Sequence, residues 1–150
     1  REKYHLRFTP IDHPPVLDRM LSIADAALVI GDPALECTDR PEPHLDLGEE
    51  WTDMTGLPFV YAFWAGHHNR LDASDVHILI EAKKIGLTAL TDIAAVYART
   101  HRGSSTFYEA YLRDHLQYAF GLEEQKGLKA FYERAYQYDL IDAVPELHFF

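Results

Sequence analysis

His67-His68 closes an apolar run, and Asp72 and Asp75 follow within a few residues. Neutral imidazoles and carboxylates are ligands for zinc or iron. Adjacent histidines at a strand end rarely converge on one ion, however, and no His-x-x-x-His pair completes the set. The pair reads as exposed loop residues, and no metal is expected. His77, His101 and His115 fall in separate helical patterns, and no Gly-x-Ser-x-Gly nucleophile elbow occurs. Cys37 lies in a proline-rich, charged loop with no base beside it, so it reads as a plain thiol. The glycines are isolated and form neither G-x-G-x-x-G nor G-x-x-x-x-G-K, which leaves no cradle for a nucleotide phosphate. Glu49, Glu50 and Asp53 surround Trp51. Paired carboxylates can divide acid and base roles, but on a short helix after a loop they read as a solvated face.

Two places hold more promise. Gly31-Asp32 follows the apolar run Ala26–Ile30, where an α/β fold places its ligands. Glycine there lets a ligand approach the backbone, and aspartate accepts from a hydroxyl. Gly-Asp-Pro is also good turn chemistry in its own right. Trp51, Thr55 and Gly56 form the second place. A threonine hydroxyl and an unobstructed glycine amide suit a carboxylate, while the competing role for Gly56 is to end a helix.

Those residues need elements to hold them. Leu6–Ile11 is a short strand candidate. Pro14-Pro15 opens a helix, capped by Asp12 or His13, with Val16, Leu17, Met20, Leu21 and Ala24 on one face. Ala26–Ile30 reads as a strand buried on both faces, followed by a turn. Residues 33–45 carry Pro33, Pro41 and Pro43 and read as a loop. Asp46 to Thr55 forms a short helix stopped by Gly56, and Leu57–Ala65 a second buried strand. Four helices follow. The first runs from Ser74 to Ile85, capped by Asp72 or Ser74 and broken at Gly86. The second runs from Thr88 to Arg99. The third runs from Ser104 or Ser105 to Phe120, and the last from Leu122 to Tyr138. Few strands followed by a helical C-terminal half is an α/β pattern with a thin sheet.

The 150 residues are one domain's worth, with 47 % apolar and 25 % charged residues. Acidic residues outnumber basic ones 24 to 14, for a formal charge of −10. That balance argues against nucleic acid and against an anionic membrane surface as partners. No apolar stretch approaches the roughly 20 residues of a membrane-spanning helix. One cysteine rules out an internal disulfide and suits a reducing cytoplasm, the expected location. The chain opens on Arg1, and Arg-Glu-Lys-Tyr-His-Leu has the look of a helix's last turn. A piece of a longer chain is the expectation, with a trimmed terminus as the alternative.

The runs Ala24-Asp25-Ala26-Ala27-Leu28-Val29-Ile30-Gly31-Asp32-Pro33-Ala34-Leu35 and Asp46-Leu47-Gly48-Glu49-Glu50-Trp51-Thr52-Asp53-Met54-Thr55-Gly56-Leu57-Pro58-Phe59-Val60-Tyr61-Ala62-Phe63-Trp64-Ala65-Gly66 resemble the chorismate dehydratase family of the futalosine route to menaquinone. Tyr111-Leu112-Arg113 through Tyr118 and Gly127-Leu128-Lys129-Ala130-Phe131-Tyr132 add to the resemblance, which covers nearly the whole chain. It implies a two-lobed fold similar to type II periplasmic solute-binding proteins, of which this chain would be part. Residues 1–35 would end the second lobe, 36–48 would cross between lobes, and 49–150 would complete the first. It implies a carbon–oxygen lyase that eliminates water from chorismate, giving 3-[(1-carboxyvinyl)oxy]benzoate, with no metal or organic cofactor. Gly31, Asp32, Trp51, Thr55 and Gly56 would line the substrate site. No catalytic residue is carried over, because the family's acid–base groups lie largely in sequence without a counterpart here. The chain alone would then be inactive. A solute-binding domain without chemistry and a 1,4-dihydroxy-6-naphthoate synthase-like enzyme are the alternatives. Apolar surface around Phe59, Tyr61, Phe63 and Trp64 would lack partners, so self-association is expected.

Overall fold

A computed structural model of the chain describes residues 9–67 and 70–149. Half of the expected strand Leu6–Ile11 (residues 6–8), and His68 of the histidine pair, lie outside the described residues; Thr9, Pro10 and Ile11 form no strand. The chain divides into two units, Arg1–His44 and Leu45–Phe150.

Among its described residues the first unit holds two short helices, α1 (Leu17–Leu21) and α2 (Asp32–Leu35). Val16, not Asp12 or His13, precedes α1, and no side chain caps it. Its Asp18 is tied to the proline-rich segment by Arg40, whose guanidinium donates to Asp18 at 2.6 Å and to Glu42 at 2.7 Å. Glu42 and then Asp18 hold that guanidinium firmly in its charged form. Gly31 takes φ 65°, ψ −145°, a conformation open to glycine, and its carbonyl accepts from Ala34 and Leu35 to start α2.

The second unit is built from α3 (Leu47–Thr55), α4 (Ala73–Thr88), α5 (Leu90–Tyr97), α6 (Ser105–Ala110) and α7 (Leu122–Gln137). Side-chain caps begin three of them. Asp46 accepts from the amides of Gly48 and Glu49 ahead of α3. Asp72 accepts from Ser74 and Asp75 ahead of α4, and Asp75 reaches back to the Asp72 amide, closing a capping box. Ser104 accepts from Phe107 ahead of α6. α5 and α6 pack closely: Ala94 is fully buried, and the Tyr97 and Tyr108 rings meet edge to face at 4.8 Å.

Several helix ends differ from expectation; α5 spans Leu90–Tyr97 where Thr88 to Arg99 was expected. Gly86 does not break α4, which runs two residues further, to Thr88, before Ala89 separates it from α5. A single glycine costs about 1 kcal/mol in a helix and is overridden when its neighbours continue the ladder. The third helix does not reach Phe120. α6 ends at Ala110 and widens into a π-helical turn over Tyr111–His115. Tyr118 folds back to donate its hydroxyl to the Leu112 carbonyl at 3.0 Å, satisfying a group the widened turn leaves open.

The larger correction concerns fold class. Among the described residues there is no strand and no sheet, so the expected α/β, periplasmic-binding-protein-like architecture is not what this chain adopts. A strand requires a second backbone to complete its ladder. Neither apolar run has one. Ala26–Ile30 forms no ladder, and Leu28 and Ile30 are 66 % and 75 % exposed where burial on both faces was expected. Pro58 to Gly66 makes no backbone–backbone hydrogen bond among the described residues.

The second run is instead held by side chains. Trp51 of α3 is only 7 % exposed. Its ring meets Phe59 at 5.9 Å and Phe131 of α7 at 5.8 Å, both edge to face, and Phe59 meets Phe131 at 5.5 Å. This triangle joins α3, the Phe59 segment and α7. Gly127, buried in α7, lies so close to the Pro58 carbonyl oxygen that a Cβ would overlap it. Gly127→Ala is therefore expected to destabilise the chain by about 1–3 kcal/mol through overpacking, although alanine is the better helix former by about 1 kcal/mol. Urea melts followed by helical circular dichroism check this; a more stable variant would refute the close approach.

Candidate functional site

Two of the five expected site residues, Gly31 and Asp32, lie in the first unit, and Trp51, Thr55 and Gly56 in the second. A Cβ at Gly31 would meet nothing within 4 Å, so the backbone there is open to an approaching group. Asp32 is the first residue of α2.

Trp51, Thr55 and Gly56 are brought together by the end of α3. The Thr55 hydroxyl donates to the Trp51 carbonyl at 2.8 Å and accepts from the Leu57 amide at 3.1 Å. Gly56 adopts the left-handed conformation, φ 70°, and its amide donates to the Thr52 carbonyl at 2.7 Å. Both polar hydrogens considered for a carboxylate are thus engaged in ending the helix. What remains toward a ligand is a Thr55 lone pair and open space over Gly56. Trp51 presents no ring face to open solvent. Phe59 and Phe131 pack against it at steep interplanar angles, Arg134 lies over the ring 5.3 Å from its centroid, and its indole N–H has no acceptor among the described residues.

The opposite end of α3 holds a polar pair that spacing did not reveal. The Tyr61 hydroxyl donates to the Asp46 carboxylate at 3.1 Å, on the same oxygen that caps the helix. Burial pushes the Asp46 carboxyl upward, but the amides of Glu49 and Gly48 and the Tyr61 hydroxyl outweigh it and leave the group below its usual value. Burial, with the Asp46 carboxylate beside it, pushes the Tyr61 phenol up to about 12. Tyr118 is also raised, by burial and by the nearby Tyr111. An ionised Asp46 carrying three donors is an anchor more than a proton acceptor. A tyrosine inside an otherwise wholly apolar run was the signal available, since a phenol needs a polar partner.

The site yields two expectations. The folded Asp46 lies below its unfolded value, so its contribution to stability is present above the ordinary carboxylate range near about 4 and is lost as pH falls through the lowered folded value. Wild type should exceed Asp46→Asn in urea stability at neutral pH, and the gap should close in acid; a constant gap would contradict this. Trp51→Ala should cost about 3–5 kcal/mol. Trp51→Phe forfeits no hydrogen bond and should cost well under half of that by the same melts; equal losses would show that the indole N–H matters.

Comparison with known proteins adds what geometry cannot. Residues 1–137 match the family described as menaquinone biosynthesis. The chorismate dehydratase of Thermus thermophilus is 34 % identical over 134 residues, covering 76 % of this chain and 48 % of that enzyme. The chain therefore spans about half the length of the curated relative it matches. No solved structure matches. Both ends of α3, the Trp51–Phe59–Phe131 triangle and the Gly31 turn all fall inside the matched region, and this chain belongs to the menaquinone biosynthesis family.

Proposed function

We propose that the chain is part of a chorismate dehydratase. It would contribute to elimination of water from chorismate, giving 3-[(1-carboxyvinyl)oxy]benzoate in the futalosine route to menaquinone. The observation that carries this reading is the 34 % identity to the Thermus thermophilus enzyme, in a chain that matches the menaquinone family over most of its length. The reaction removes a ring hydroxyl and the proton of an adjacent carbon. A base takes that proton, the C–O bond breaks, an acid (or the same group returning the proton) protonates the departing hydroxyl so that it leaves as water, and aromatisation drives the step. Such chemistry asks for orientation and modest acid–base help more than for strong activation.

In this reading Gly31, Asp32, Trp51, Thr55 and Gly56 belong to the substrate-lining set, in a cytoplasmic lyase that uses no organic cofactor. The geometry favours positioning roles over catalytic ones: Asp46 is ionised and engaged, and Trp51 is packed away. The remaining acid–base groups would come from sequence corresponding to the half of the relative that has no counterpart here. The chain alone would then be inactive.

The test is to incubate chorismate with two proteins, the 150-residue chain and the product of the whole reading frame that contains it, and to follow the aromatic product by chromatography. The whole product should convert chorismate, and the chain alone should not. An inert whole product would overturn the assignment, and activity of the chain alone would overturn its incompleteness.

A further inference from the structure

Spacing alone carries the third helix to Phe120, and the structure ends it early. Ser105 to Phe120 contains neither glycine nor proline. Tyr108, Leu112, Leu116 and Phe120 recur every fourth residue, and Gly121 follows as a stop. Yet the chain widens into the π-helical turn Tyr111–His115 and leaves the helix at Leu116, which is extended at φ −93°, ψ 126°. A π-helical turn is rare and occurs mostly at functional places. Something beyond local preference has to hold this one.

One carbonyl separates the two paths. In an α-helix the Leu112 carbonyl accepts from the amide of Leu116, four residues on. Here it accepts from the Tyr118 phenol at 3.0 Å. In a continuous helix Tyr118 would sit about 9 Å along the axis from Leu112 and on another face, out of reach of that carbonyl. The hook and the helix therefore exclude each other. The hooked path has further contacts of its own. Lys83 of α4 donates to the Tyr118 carbonyl at 3.2 Å, and the Phe120 ring meets Phe63 at 6.4 Å and Phe149 at 5.6 Å. Its cost lies in the backbone. The amides of Gln117, Tyr118 and Ala119 donate to no backbone carbonyl among the described residues, whereas a helix would give each of them one. A phenol hydrogen bond, a lysine contact and two aromatic contacts stand against three backbone hydrogen bonds and regular helical geometry. These are terms of similar size, which is the condition for two conformations of one segment.

We propose that residues 111–120 are a two-state strap with Tyr118 as its latch. Latched, the strap lays Phe120 against Phe63, on the segment whose Phe59 packs on Trp51. Released, it continues α6 to Phe120 and takes that ring away from Phe63. This inference does not rest on the enzymatic reading. The test is NMR on the chain. Tyr118→Phe removes the latch, so the Cα shifts of residues 116–119 should turn helical and amide exchange at 117–119 should slow roughly tenfold or more. Tyr136→Phe, an exposed phenol on α7, should change neither. Gln117→Pro blocks the released form, because proline breaks a helix interior. It suits the latched form, in which Leu116 is already extended and the Gln117 amide donates to no backbone carbonyl. Adding it to Tyr118→Phe should abolish the helical gain. If Tyr118→Phe does not fold, wild type decides: relaxation dispersion at 117–119 should report exchange that Gln117→Pro suppresses. Unchanged shifts and exchange rates in a folded Tyr118→Phe, a gain that survives Gln117→Pro, the same gain in Tyr136→Phe, or, where Tyr118→Phe does not fold, no suppressible exchange in wild type would each overturn the proposal.

Discussion

The second unit depends on one indole. Trp51 is the residue through which α3, the Phe59 segment and α7 share a common interior. Edge-to-face aromatic pairs contribute about 0.5–1.5 kcal/mol each beyond the area they bury. Three such contacts meet at one corner, where no sheet among the described residues supplies order. Gly127 makes the corner possible, because only a residue without a Cβ lets α7 approach the Pro58 carbonyl so closely. Arg134 lies over the Trp51 ring from the same helix. Without the indole, the Phe59–Phe131 pair, the Gly127–Pro58 approach and the Tyr61–Asp46 hydrogen bond remain between these segments.

The polar chemistry is arranged around that interior. At one end of α3, Asp46 gathers two backbone amides and a phenol onto one oxygen, which fixes the helix start and the Tyr61 side chain together. At the other end, Thr55 and Gly56 direct their protons back into the helix. Both ends are therefore satisfied from within. The space over Gly56 stays open beside the second of these ends.

Much of the surface is apolar and unpartnered, and the reason is the same throughout. Leu28, Ile30 and Trp64 have the side chains of a buried interior without the second layer that would cover them. A folded domain needs two packed layers around one core. The chain spans about half of the length of its Thermus thermophilus relative.

Local features were legible from neighbouring residues alone. Asp72 and Ser104, each one of two candidates in the sequence, cap helices because their side chains reach amides two or three residues ahead, and Gly56 ends α3 because the left-handed turn there suits glycine; Asp46, read as the first residue of α3, is its cap. The family was legible for a similar reason, in long runs such as Leu47 to Gly66. The fate of Ala26–Ile30 and Leu57–Ala65 was settled by three-dimensional packing instead. Composition marks both runs as strands, but a strand exists only when another backbone completes its ladder, and nothing inside a run reports whether that partner is present. Distance along the chain hid the rest. Asp46 and Tyr61 are fifteen residues apart, Gly127 and Pro58 farther still, and the helix that should have reached Phe120 stops once Tyr118 returns to Leu112. Helix caps are short-range hydrogen bonds and can be read from neighbours. Ladders, aromatic corners and fold-back contacts join residues that only folding brings together.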